Sequence, residues 1–240
     1  GGSKQDFGRS IIELYDSTIV IAGGTASMGA GGLDVLLMKL TAQGDSLWAR
    51  AHGGPEDDWA RDVIMTRDTG LSVIGTTESF NTDYKEMYHI KTDSSGLNLE
   101  FQWNWGQINN QEGYEHFQRF NGNFMIIGYA MTSGAGGKDF MLQETDEVGL
   151  FLTGYTYGGT EDDAGYSFDR TLDGGLVLFG TTNSFGVGLD DYLLIKTDSS
   201  GFDYQGNPIV STFLETYEDT SIPDAPLYIS QVVTQDGLVS

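Results

Sequence analysis

The sequence predicts an all-β fold made of one four-stranded unit used repeatedly, and three observations predict it. Gly23, Gly75, Gly128 and Gly180 recur at spacings of 52, 53 and 52 residues. The same spacings link Asp16, Asp68, Asn121 and Asp173, and Gly44, Gly96, Gly149 and Gly201. Within each period four short apolar segments alternate with turn signals, and the second of the four is apolar without alternation. Four strands per period of roughly 50 residues is the pattern of a β-propeller blade.

The copies run over about 1–52, 53–105, 106–157 and 158–212, with a partial fifth over 213–240. In the second copy the segments are ARDVIMT, LSVIGTT, EMYHIKT and LNLEFQWNW. Segment two (Ile19 to Ala22, Phe124 to Ile127, Leu176 to Phe179) suits a strand covered on both faces, as neighbouring blades would cover it. Segment four alternates, with Leu99, Phe101, Trp103 and Trp105 on one side and Glu100, Gln102 and Asn104 on the other, so it is expected outermost and half solvated. RDTG and LDGG, and DSSG and AQGD, are expected hairpin turns in which Gly takes positive φ. The links from segment two to three and from four to the next copy are longer. Because strand direction alternates, both long links fall at one end of the sheets and the short hairpins at the other.

After Gly201 the pattern loosens. YISQVVTQDGLV, from Tyr228, still matches YSFDRTLDGGLV, from Tyr166, so a fifth copy begins after an insertion. The chain is therefore expected to be part of something longer, with further blades or an unusual ring closure. A closed ring normally pairs strands from the two chain ends and leaves no exposed edge, and the sequence offers no obvious partner segment for that.

Twelve basic against 35 acidic residues give a formal net charge of −23, which speaks against nucleic acid as a partner. Without cysteine there is neither a disulfide framework nor a thiolate ligand or nucleophile. No apolar run of about 18 residues is present, so no membrane insertion is expected. The 34 glycines beside only 4 prolines fit turns better than linkers.

GG-x-x-D-D, a T-x-D-G-G turn, G-T-T-x-S-F-G-x-G-x-x-D and L-I-K-T-D-S-S-G together resemble the propeller repeats of secreted and surface-displayed bacterial proteins. The resemblance covers about residues 1 to 205. It implies an extracellular or cell-surface location and brings no catalytic residues, since such repeats occur in proteins of many activities. The third copy departs from it, with Glu144 in the Lys39, Lys91 and Lys196 column and Gln111 in the Asp6, Asp58 and Asp163 column.

Candidate site residues cluster near the long links. Arg9, Arg61, Tyr114 and Tyr166 share a column, with Phe7 and Trp59 two places earlier. Arg and aromatic side chains at a loop mouth serve glycan or protein binding, and they equally pack between blades. Adjacent acids, Asp57 with Asp58 and Asp162 with Asp163, either cap backbone amides or make the mouth negative. The column Asp34, Glu86, Asp139 and Asp191 could ring a calcium ion. The expected role is instead local hydrogen bonding, with Ser27, Ser79, Thr132 and Ser184 as partners. GAGGLDVLL and GAGGKDFML echo a calcium-binding nonapeptide, but that motif stacks every nine residues. No cofactor is expected, calcium being the alternative.

His52, His89 and His116 fall in different columns, so neither a His pair nor a nucleophile with its base is expected. The reading is a non-catalytic module that binds a protein or glycan at the long-loop face, or serves as a scaffold. The alternative is a carbohydrate-active or other hydrolytic enzyme with a site over the central channel.

Overall fold

A computed structural model describes residues 2–80, 84–105, 110–131, 137–186 and 190–201. Among the described residues there are fifteen strands and no helix. They form four antiparallel sheets in chain order. The first contains β1 (Asp6–Glu13), β2 (Ile19–Thr25), β3 (Asp34–Leu40) and β4 (Ser46–His52). The second contains β5 (Asp58–Met65), β6 (Leu71–Thr77), β7 (Glu86–Thr92) and β8 (Leu99–Trp105). The third contains β9 (Gln111–Gln118), β10 (Phe124–Ala130), β11 (Asp139–Thr145) and β12 (Phe151–Tyr157). The last contains β13 (Asp163–Arg170), β14 (Leu176–Thr182) and β15 (Asp191–Thr197). Its expected fourth strand, and the fifth copy, lie outside the described residues.

Each sheet is a simple meander in which every strand pairs with its chain neighbour. Burial follows the hydrophobic pattern. β6, β7 and β10 are buried along their whole length, whereas the edge strands β4, β8 and β12 are largely exposed or half-buried. The short hairpins differ from expectation in one detail. In the turn between the first two strands, the left-handed residue is the one after the Asp/Asn column: Ser17, Thr69, Gly122 and Gly174. The RDTG turn therefore places Thr69, at φ 68°, where glycine was expected to serve. Gly44, Gly96, Gly149 and Gly201 do take positive φ in the other hairpin.

Every first strand carries a β-bulge at the same place. Pairing passes from Gly8 to Ser10, from Ala60 to Asp62, from Gly113 to Glu115 and from Gly165 to Ser167. The skipped residues are Arg9, Arg61, Tyr114 and Tyr166. The bulge also explains the glycine column. A Cβ on Gly23, Gly75, Gly128 or Gly180 would lie far inside 3.0 Å of the carbonyl oxygen of Phe7, Trp59, Glu112 or Ala164. Only glycine admits that approach.

Consecutive sheets stack face to face. Val20, Ala22, Val35 and Leu37 of the first sheet pack with Ala60, Val63, Leu71, Val73, Tyr88 and Ile90 of the second. Ile74 and Met87 meet Ile126, Ala130 and Met141, and Ile127, Phe140 and Leu142 meet Phe168, Leu178, Leu193 and Ile195. In each step the first strands also touch, β1 against β5, β5 against β9 and β9 against β13. A recurring polar latch ties the steps together. Ser10 Oγ, Asp62 Oδ2 and Glu115 Oε2 accept the backbone N–H of Val63, His116 and Phe168 at 3.2, 3.1 and 3.0 Å. Each acceptor directly follows the bulged residue and reaches the following sheet.

Candidate functional site

A bulge turns the extra residue out of the regular alternation and re-aims its side chain. Here it aligns the predicted column across three sheets. The Arg61 guanidinium lies 4.7 Å from the Tyr114 ring centroid, and Tyr114 meets Tyr166 edge to face at 5.0 Å. Arg61 Nη2 donates to Glu112 Oε2 at 2.9 Å, and the Tyr129 hydroxyl donates to Glu112 Oε1 at 3.0 Å. Lys138 Nζ stands 4.7 Å above the Tyr129 ring. Tyr166, at the open end, is 45% exposed. The stack therefore packs between sheets and leaves one aromatic edge accessible at its end. Trp59 meets Lys85 at 4.9 Å, and Arg9 lies over Phe7 at 5.2 Å.

Glu112, Tyr129 and Lys138 were not foreseen. Glu112 had a signal, because it is a carboxylate in the column of Phe7, Trp59 and Ala164. Desolvating one carboxylate there requires the two partners it receives.

The loop acids hold the long links in shape. Asp6, Asp58 and Asp163 accept the backbone N–H of Gly2, Gly54 and Gly159 at 2.7, 2.7 and 2.8 Å. Ser27, Ser79 and Ser184 donate to these same three carboxylates, at 2.9, 2.7 and 2.7 Å. The serine column is thus the partner of Asp6, Asp58 and Asp163. This differs from the sequence expectation, which pairs the column with Asp34, Glu86, Asp139 and Asp191; Thr132 lies outside the described residues. The serines sit at the start of the long loop, beside the bulged strand's first residue. Asp34 Oδ2 instead accepts Ala30 N–H within its own loop, at 3.0 Å.

Asp57 and Asp162 bind the two long links together, accepting Leu33 N–H at 2.8 Å and Lys138 N–H at 2.9 Å. The third copy keeps this bond with a neutral group, since Asn110 Oδ1 accepts Lys85 N–H at 2.9 Å. At the opposite end, Lys39, Lys91 and Lys196 pair with Asp16, Asp68 and Asp173 at 3.3, 2.6 and 3.0 Å. Where Glu144 replaces the lysine, Asn123 Nδ2 donates to it at 2.8 Å and Arg119 lies 3.5 Å away. The charge reversal at Glu144 is thus met by neighbouring donors.

Gly53 is wedged between the carboxylates of Asp34 and Asp58, and Gly158 between those of Asp139 and Asp163. All four acids are buried. Burial pushes the Asp34 carboxyl above its ordinary range, against the pull of the Gly31 and Ala30 amides. Among the described residues no group of three or more His, Asp or Glu side chains is arranged to hold a metal ion.

The histidines overturn one expectation. His89 and His116 do form a pair, through Ser72, whose Oγ lies 2.9 Å from Nε2 of each ring. His116 Nδ1 meets Asp62 Oδ2 at 2.8 Å, and Ser10 Oγ donates to Asp62 Oδ1 at 2.9 Å. The chain Asp62, His116, Ser72 has the order of groups of a base-activated nucleophile. Ser72 and His89 are fully buried, however, so no substrate reaches them. Burial raises Asp62, yet the bonds from His116 hold it below the usual carboxylate range. Burial drives His89 well below the ordinary imidazole value. The relay is a polar rivet joining the first three sheets.

No family model matches the chain, and no curated protein matches it.

Proposed function

We propose that the chain is a β-propeller array of four-stranded blades. In this reading it acts as a non-catalytic extracellular or cell-surface module that binds a protein or glycan at the long-loop end. Sheets that meet through their first strands and leave their fourth strands at the rim support radial placement. The observation that carries the binding reading is the bulge in every first strand, which presents Arg9, Arg61, Tyr114 and Tyr166 beside the long links. Aromatic faces and guanidinium groups on rigid strands are suited to stack on sugar rings or grip a peptide. The bacterial surface repeats that the chain resembles fit the same role.

The raised carboxyl of Asp34 beside Asp58 is the feature an enzyme would need. Both acids are sealed from solvent, and the arrangement recurs at Asp139 and Asp163, which marks it as part of the repeat. The test is a glycan and peptide array probed with the wild-type chain and with Arg9→Ala, Arg9 being exposed on the first sheet. Loss of affinity of about tenfold is expected for one exposed guanidinium contact. Turnover of chromogenic glycosides that disappears in Asp34→Asn would overturn the reading.

A further inference from the structure

We infer that the outer face of the last described sheet is a docking face for this chain's own residues Tyr228–Val239. The inference needs only the serial stacking of the sheets, and Tyr166 is the one residue it shares with the proposed binding column. Three independent columns carry it.

The first is apolar. Ala22 and Val35, Ile74 and Met87, and Ile127 and Phe140 all lie on the side of their sheet that the next sheet covers, and all are fully buried. The same two columns in the last sheet hold Phe179 and Tyr192, which are 41% and 51% exposed. Their rings stack on each other at 5.7 Å.

The second is the latch. Ser10, Asp62 and Glu115 each accept a backbone N–H from the following sheet. The next member of that column, Ser167, is exposed on the same face. The third is the bulge column, in which Arg61 packs on Tyr114 and Tyr114 on Tyr166, while Tyr166 ends the stack half open. A face that repeats three inter-sheet devices selects an occupant with the same strand pattern.

Tyr228–Val239 has that pattern. Tyr228 matches Tyr166 in the bulge column, and T-Q-D-G matches the first hairpin turn. The connection is long enough. Tyr166 follows the hairpin glycine Gly149 by 17 residues, and Tyr228 follows Gly201 by 27.

Hydrogen exchange on the full 240-residue chain tests this. Amides of 228–239 should exchange at least about tenfold more slowly than an unstructured peptide. In the double variant Phe179→Asp/Tyr192→Asp that protection should be lost while peptides from β1 to β12 keep theirs. Leu172→Asp, on the hairpin of the same sheet, should leave it intact. Three results would overturn the inference. One is exchange of 228–239 at unstructured rates in the wild type. Another is protection that survives the double variant. The last is a wild-type dimer in light scattering that the double variant converts to monomer, which would make a second copy the occupant.

Discussion

Gly75→Ala should be among the most damaging single methyl groups that can be added to this protein. Gly75 lies in β6 opposite the bulge of β5, and a Cβ there would run into the backbone carbonyl of Trp59 and the Cα of Ala60. Neither is the far end of a flexible side chain, so relief requires β5 to move away. That movement breaks pairing on both sides of the bulge, about two hydrogen bonds at ~1 kcal/mol each. It also lifts Ala60 and Val63 off the first sheet, an overpacking strain of about 1–3 kcal/mol. The expected loss is about 3–5 kcal/mol, with Arg61 displaced from Tyr114. Gly44→Ala is the control, because Gly44 has φ 92° with nothing within 4 Å of its Cβ position. Its cost should be about 1–2 kcal/mol, from the left-handed backbone alone. Urea unfolding of the two variants beside the wild type measures both. If Gly75→Ala costs no more than Gly44→Ala, the bulge does not enforce the glycine column and the reasoning fails.

Other outcomes follow from the same structure. Because burial depresses His89 in the folded state, the unfolded chain takes up its proton first, and stability should fall as pH drops below about 6.5, by up to ~1.4 kcal/mol per pH unit. His89→Leu installs the residue found at Leu37, Leu142 and Leu194, and it should flatten that slope in urea midpoints taken at pH 7.5 and about 5. An unchanged slope would remove His89 as its source, leaving His52, which burial also depresses. Thr69→Gly should stabilise by about 1 kcal/mol in thermal unfolding, because a β-branched residue is held at φ 68°. Addition of a chelator should leave the melting midpoint unchanged, since the loop acids are engaged by amides and hydroxyls. A clear drop would restore calcium as a structural ion.

The periodic features were legible because each copy solves one local problem in one way. A bulge needs a glycine opposite it, a hairpin needs an acid two residues before its last position, and a covered strand needs apolar residues on both faces. These demands act within about 25 residues, so they imprint fixed columns on the sequence. The assignment of Ser27, Ser79 and Ser184 to Asp34 and its column went wrong for a related reason. Two acid columns lie within reach of the same loop, and spacing along the chain does not say which one the hydroxyl faces.

The sequence alone therefore determined the strand content, the phase of the repeat and the positions of the turns, all set by backbone sterics and local hydrophobic pattern. Only the tertiary structure decided which side chains meet across sheets. His89 and His116 stand 27 residues apart in unrelated columns, and Ser72 joins them only where the second and third sheets stack. Arg61, Tyr114 and Tyr166 become one stack because the bulge re-aims all three. Such contacts depend on the distance and rotation between sheets, which a periodic pattern within one copy does not encode.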